Sequence, residues 1–135
     1  LSVLLNQLNA LKDETKKLLT RRSPLQQHDE VEPELREKWE DELAAAIEAE
    51  YRRQRAGVLT SLQWWLRDVW FSALRQGRDM LAFPHLAAAA ETVAARISPE
   101  QAMENLRVLE DTQRLLATNV QEALALEVGL LKLSL

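Results

Sequence analysis

The residues able to do chemistry are few. The 135-residue chain has two histidines, no cysteine and three glycines. His28 falls in a polar stretch and His85 at a helix start, and neither has a glutamate three residues before it. A histidine-based triad, a multi-histidine metal site and a helical di-iron motif are therefore unsupported, because each needs placed partners. Without cysteine there is no zinc-thiolate site, thiol nucleophile or disulfide. Gly57, Gly77 and Gly129 stand apart, so no loop can bring successive backbone amides to a phosphate. Carboxylates are plentiful, but Glu48, Glu50 and their neighbours lie in a charged helical pattern that a solvated face explains. We expect no catalytic residue, no cofactor and no metal in this chain.

Three features resist that bland account. Trp64 and Phe71, seven residues apart with Arg67 between them, have the residue types that dominate protein interfaces. They read either as an interface anchor or as a face that the first helix covers. Glu127 sits among apolar residues near the end of the chain. If buried it needs a partner, Arg107 or Arg114 within the chain or a base on another subunit. Gln113, inside an apolar stripe, is a weaker case.

The elements that would hold these residues are helical. Apolar residues make up 47% and charged residues 28%, as in an ordinary globular protein long enough for one domain. Three glycines and four prolines among many Ala, Leu, Glu and Arg favour helix nearly throughout. A net charge of −4 argues against a free-standing nucleic-acid module, which needs clustered excess base. Lys16, Lys17, Arg21 and Arg22, and then Arg52, Arg53 and Arg55, read as solvated helix ends. No apolar run approaches the roughly 18 residues that cross a bilayer, and the chain reads as cytoplasmic. Its start at Leu1 suggests the C-terminal fragment of something longer.

Leu1, Leu4, Leu5, Leu8, Leu11, Leu18 and Leu19 share one side of a helix over 1–20. A loop over 21–32, mobile or loosely packed, follows. Leu35, Trp39, Leu43, Ile47 and Tyr51 then recur every fourth residue, a spacing that drifts around a helix and predicts a charged arm packed along a narrow strip. Gly57 offers a place to bend, yet the period resumes in Val58, Leu62, Trp65, Leu66, Val69 and Ala73. Residues 33–76 thus read as one long helix, bent or straight, with Gly77 as its left-handed cap. Residues 84–135 form a three-helix part. Pro84 opens the first helix, whose buried edge is Leu86, Ala89, Ala90, Val93 and Ile97. Ser98-Pro99-Glu100-Gln101 has the form of a capping box; it starts a helix with Ala102, Leu106, Leu109 and Leu116 as core stripe. Asn119 is placed to cap the last helix, where Val120, Leu124, Val128 and Leu131 form one apolar arc that Ala123, Leu126, Leu130 and Leu133 extend. A helix apolar almost all round must be covered on more than one side.

Leu62-Gln63-Trp64-Trp65-Leu66-Arg67-Asp68-Val69-Trp70, the Ile97-to-Gln101 junction, and Leu115-Leu116-Ala117-Thr118-Asn119-Val120-Gln121-Glu122-Ala123-Leu124-Ala125-Leu126-Glu127 together resemble the C-terminal collar domain of the delta-prime subunits of the bacterial DNA polymerase III clamp loader. The likeness covers about 58–133 in order. It implies an all-α bundle of five to six helices with one long charged helix, of the collar type. In that family the C-terminal domains of five subunits pack in a ring, holding ATPase-type modules above the sliding clamp and primed DNA. Trp64, Trp65, Arg67, Asp68, Asn119, Leu124, Leu126 and Glu127 would be core or collar positions. The resemblance implies a non-enzymatic oligomerisation domain whose partners are the C-terminal domains of other clamp-loader subunits. DNA and the clamp would be met only through the parent complex, and no membrane is involved. The candidate subunit interface is Trp64, Arg67, Phe71, Leu126, Glu127, Leu130 and Leu133. Residues 12–56 depart from the family pattern. Two other classes stay in view: a helical ligand-binding regulator with a Trp-lined pocket, and an acid/base enzyme built on carboxylates, which requires one with a strongly raised pKa.

Overall fold

The computed structural model describes residues 2–26 and 30–135. His28 and Leu1 lie outside the described residues. Five α-helices occur among them: α1 Ser2–Arg22, α2 Pro33–Ala73, α3 Ala87–Ala94, α4 Pro99–Leu116 and α5 Glu122–Leu130. Short 3-10 turns occupy Pro24–Gln26, Arg78–Met80 and Pro84–Leu86, and the described residues contain no strand. The all-helical expectation holds. None of the described helices is long and apolar enough to cross a membrane. The chain, read above as one domain, divides into two compact units, Ser2–Gly57 and Val58–Leu135, with α2 contributing to both.

In the N-terminal unit, α1 and the first part of α2 run antiparallel. The Thr15 hydroxyl donates to Leu11 O at 2.8 Å and meets Gln54 Oε1 at 3.2 Å, while Lys12 Nζ lies 5.2 Å from the centre of the Tyr51 ring. Leu8, Thr15, Ser23, Tyr51 and Arg55 are buried. The every-fourth-residue strip behaves as its drift requires: Leu35 is exposed, Trp39, Leu43 and Ile47 are half-buried, and Tyr51 is buried. On the solvent side, acids and bases one turn apart pair as Arg36–Glu40 at 3.4 Å, Arg52–Glu48 at 2.8 Å and Arg53–Glu50 at 2.7 Å. Each such solvated pair contributes little by itself, so the long helix rests on many small terms. Of the loop expected over 21–32, Arg21 and Arg22 extend α1 and Ser23 is buried beside the Pro24–Gln26 turn, while residues 27–29 lie outside the described residues.

The long helix passes through Gly57 unbroken and ends at Ala73, not at the expected residue 76. Gly77 is not its cap. Gly77 has extended angles, φ −65° and ψ 153°, and the left-handed residue is Arg75 at φ 58°. The Arg75 amide donates to Ser72 O and the Gln76 amide to Phe71 O, both at 3.0 Å. This is a Schellman closure with arginine where glycine is usual. The left-handed geometry costs a side-chain-bearing residue on the order of 1 kcal/mol.

In the C-terminal unit, Leu59, Leu66 and Val69 of α2, Leu81 of the connection after it, Ala87 and Ala90 of α3, Ala102 and Leu109 of α4, and Ala125 and Leu126 of α5 are all buried. The buried edge of α3 is thus Ala87 and Ala90; Leu86 and Ala89 are exposed, and Val93 and Ile97 half-buried. A 3-10 turn occupies Pro84–Leu86 first, which rotates the helix start to Ala87. The α4 stripe includes Asn105 and Thr112 as buried members, with Leu106, Gln113 and Leu116 only half-buried.

Candidate subunit-contact surface

The local rules set α4 firmly. Ser98 Oγ accepts the Gln101 amide at 3.2 Å, and Gln101 Oε1 accepts the Ser98 amide at 2.9 Å, the reciprocal capping box read from the sequence. Glu100 in the first turn has its carboxyl pKa lowered by its own backbone amide and by the Ser98 hydroxyl. Its sign suits the positive end of the helix dipole.

The last helix is set differently. Asn119 does not cap α5; that helix starts at Glu122 with Gln121 before it and no side-chain cap. Its placement comes from packing on α4. A Cβ built on Gly129 would collide with the Thr112 side chain, with Cγ2 at 2.8 Å, so the absent side chain is what lets the two helices meet. Thr112 Oγ1 donates to Val108 O at 2.8 Å within its own helix, which satisfies the buried hydroxyl. Beyond α5, buried Asn105 holds the following segment: Nδ2 donates to Ser134 O at 2.6 Å, and Oδ1 accepts the Ser134 amide at 2.8 Å.

With α5 so placed, one of its apolar faces is inside and the other faces out. Ala125, Leu126 and Gly129 are buried. Val120 is 42% exposed, Leu124 55%, Val128 44% and Leu131 70%. Leu124 and Val128 of α5 and Leu131 at its C-terminal cap share one outward face of this very short helix, and Val120 lies in the bend before it. Scattered exposed leucines need no explanation, but contiguous ones mark contact sites.

The sequence-based surface residues divide between the two faces. Leu126 is 0% exposed and belongs to the interior, so it drops out of the surface. Leu130 and Leu133 are half-buried at its edge. Glu127 is exposed on the flank of the stripe, so the internal partner that burial would demand is not needed. Arg107 pairs instead with Glu104 at 3.6 Å, and Arg114 with Glu110 at 3.6 Å and Asp111 at 2.9 Å. Val120, Leu124, Val128 and Leu131 were legible as an arc, yet with apolar residues on both faces of α5 the arc alone does not say which face turns outward.

A second cluster lies on α2. The Arg67 guanidinium sits 4.0 Å from the centre of the Phe71 ring and 5.3 Å from that of Trp64. Its Nη1 donates to Met80 O at 3.2 Å. Trp64 is 48% exposed, and Phe71 is half-buried. The structure thus brings Trp64, Arg67 and Phe71 together, with the cation stacked between rings. Beneath them, buried Asp68 accepts the amides of Ala82 and Phe83, one on each carboxylate oxygen at 2.8 Å. That anchors the connection after α2. The resemblance implied a core or collar position for Asp68, and residue spacing could not supply its two distant backbone partners.

Among the described residues the chemistry-bearing groups do not gather into one site. Among the described residues no group of three or more His, Cys, Asp or Glu could hold a metal ion. His85 is exposed, edge-on to the Phe83 ring at 6.1 Å. The carboxylates with resolved shifts move downward. Glu50 is lowered to about 2 by Arg53 and then Gln54, and Glu91 is lowered by Arg78, which it meets through two bonds of 2.8 Å. Three cavities in the N-terminal unit are lined by α1, the turn after it and α2. Trp39 lines one of them with Leu19 and Leu43, whereas Trp64, Trp65 and Trp70 line none of the three. In comparisons with known proteins, no protein-family model, no curated protein and no solved structure matches the chain.

Proposed function

We propose that this chain is an oligomerisation domain of the collar type, belonging to a DNA polymerase III clamp-loader subunit of the delta-prime kind. In this reading it is not an enzyme and carries no cofactor. It fixes subunit order by helix packing and so supports the complex that loads the sliding clamp in DNA replication. Its partners are the C-terminal domains of the other clamp-loader subunits, and it works in the cytoplasm.

The observation that supports this best is the outward apolar face of Leu124, Val128 and Leu131, with exposed Val120 just before the helix. A collar domain of this kind needs an exposed apolar surface on its last helix, since the core of a contact patch is depleted of charge. The ligand-binding alternative has less behind it, since it needs polar groups converging beside Trp64, Trp65 and Trp70. Arg67, the charged group at Trp64, is stacked on rings and bonded to Met80 O.

The test is to mix the chain with the C-terminal domains of the other clamp-loader subunits at tens of micromolar. Light scattering should show a complex of defined mass. Only separate species at those concentrations would overturn the collar reading.

A further inference from the structure

The exposed stripe has charged edges, and their order around the helix selects an occupant. Leu124, Val128 and Leu131 are spaced four and then three, the repeat of a seam between two helices. At 100° per residue, Glu127 lies on one side of this seam and Lys132 on the other. Both are exposed. The helical turn continues through them, since the Leu131 amide donates to Glu127 O at 3.0 Å and the Lys132 amide to Gly129 O at 3.1 Å.

Two helices that pack face to face and run parallel bring opposite flanks together. Two that run antiparallel bring like flanks together. An antiparallel pair of these helices therefore sets Glu127 against Glu127. A parallel pair sets Glu127 of each copy against Lys132 of the other, five residues or about 7.5 Å further along the axis, in the position where such seams form ion pairs. The seam residues agree with a two-stranded parallel arrangement, with β-branched Val128 between Leu124 and Leu131.

We propose that α5 is a self-recognition surface: a second copy of this chain docks on it, parallel and about a twofold axis, with Leu124, Val128 and Leu131 as seam and two Glu127–Lys132 pairs as guides. The inference uses the same surface as the proposed function but not the identity of its neighbour. A few partly exposed side chains fall well short of the roughly 800 Å² per partner of a standard interface. The dimer is accordingly weak, with a dissociation constant on the order of 100 µM. A neighbour with a larger matching surface displaces it.

Sedimentation of the whole chain between about 20 µM and 1 mM should show reversible dimers, and a monomer throughout would overturn the proposal. Glu127→Lys and Lys132→Glu, each alone, should weaken the dimer on the order of ten-fold, because each turns two attractions into repulsions. The double exchange should restore it to within about three-fold. Single variants that weaken association without recovery in the double would exclude the parallel seam. Register has its own readout, since the chain contains no cysteine. Val128→Cys should oxidise to a disulfide-linked dimer across the axis. If only a mixture of Leu124→Cys and Val128→Cys chains cross-links, the pairing is antiparallel and the proposal fails. Self-association and binding to clamp-loader domains are separate measurements, so either can fail while the other stands.

Discussion

The helices α4 and α5 pack on one another, yet they are made in opposite ways. Over 18 residues α4 carries a reciprocal cap, a buried stripe and paired charges on its solvent side. Over nine residues α5 has no side-chain cap and apolar residues on both faces. Nine residues are too few to hold a helix in water unaided. The first helix is written in its own sequence, and the second exists because the first provides a floor for it. A surface that must meet a partner is thereby placed on the element with least stability of its own.

That contrast can be broken most forcefully where the two helices touch. Gly129→Val should cost about 3 kcal/mol, because the new side chain meets Thr112 and α5 must lift. Hydrogen exchange should show α5 amides unprotected while α4 stays protected; equal loss in both would erase the distinction. Asn105→Ala removes both bonds to Ser134 and should lower stability by about 2 kcal/mol. Denaturant titration measures this, and an unchanged midpoint would mean that the tail is held elsewhere. Ser98→Ala should cost about 1 kcal/mol, with faster exchange confined to the first turn of α4.

Two smaller effects sharpen the comparison. Leu131→Gln should change stability by no more than about 0.5 kcal/mol, since the side chain is already exposed, while abolishing association by light scattering. A large loss in the melt would make that face structural. Glu100 should titrate below the ordinary carboxylate value of 4.5, because its own amide and Ser98 favour the charged form. A lowered folded pKa stabilises α4 above that ordinary value, and the gain is lost as pH falls through the folded one. Carbon-13 shifts of the carboxyl group report it directly.

The same contrast explains what could be read in advance. The Ser98 cap was legible because its partners lie within four residues. Glu48 and Arg52 stand one turn apart in the sequence and pair for the same reason. Asn119 has the residue type of a cap, but α5 begins three residues later, where packing on α4 allows it. Gly77 has the type of a helix terminator, yet the chain turns at Arg75, once the Phe71 and Ser72 carbonyls find their amides. Asn105 and Thr112 escaped a search for apolar stripes because their polar atoms are satisfied by Ser134 and Val108, partners that spacing alone does not identify. Leu126 and Leu124 differ by two positions in a helix with apolar residues on both faces. Only the location of α4 decides that one is core and the other surface.

The contact of Gly129 with Thr112 has a geometric consequence for recognition. The height at which Leu124, Val128 and Leu131 stand above the body of the domain is set by a hydrogen atom where any other residue would have carbon. Position 129 therefore works as a shim beneath the contact surface. Trimming its counterpart with Thr112→Ser or Thr112→Ala would let the whole stripe settle, altering the fit to a partner while leaving every residue that touches that partner unchanged.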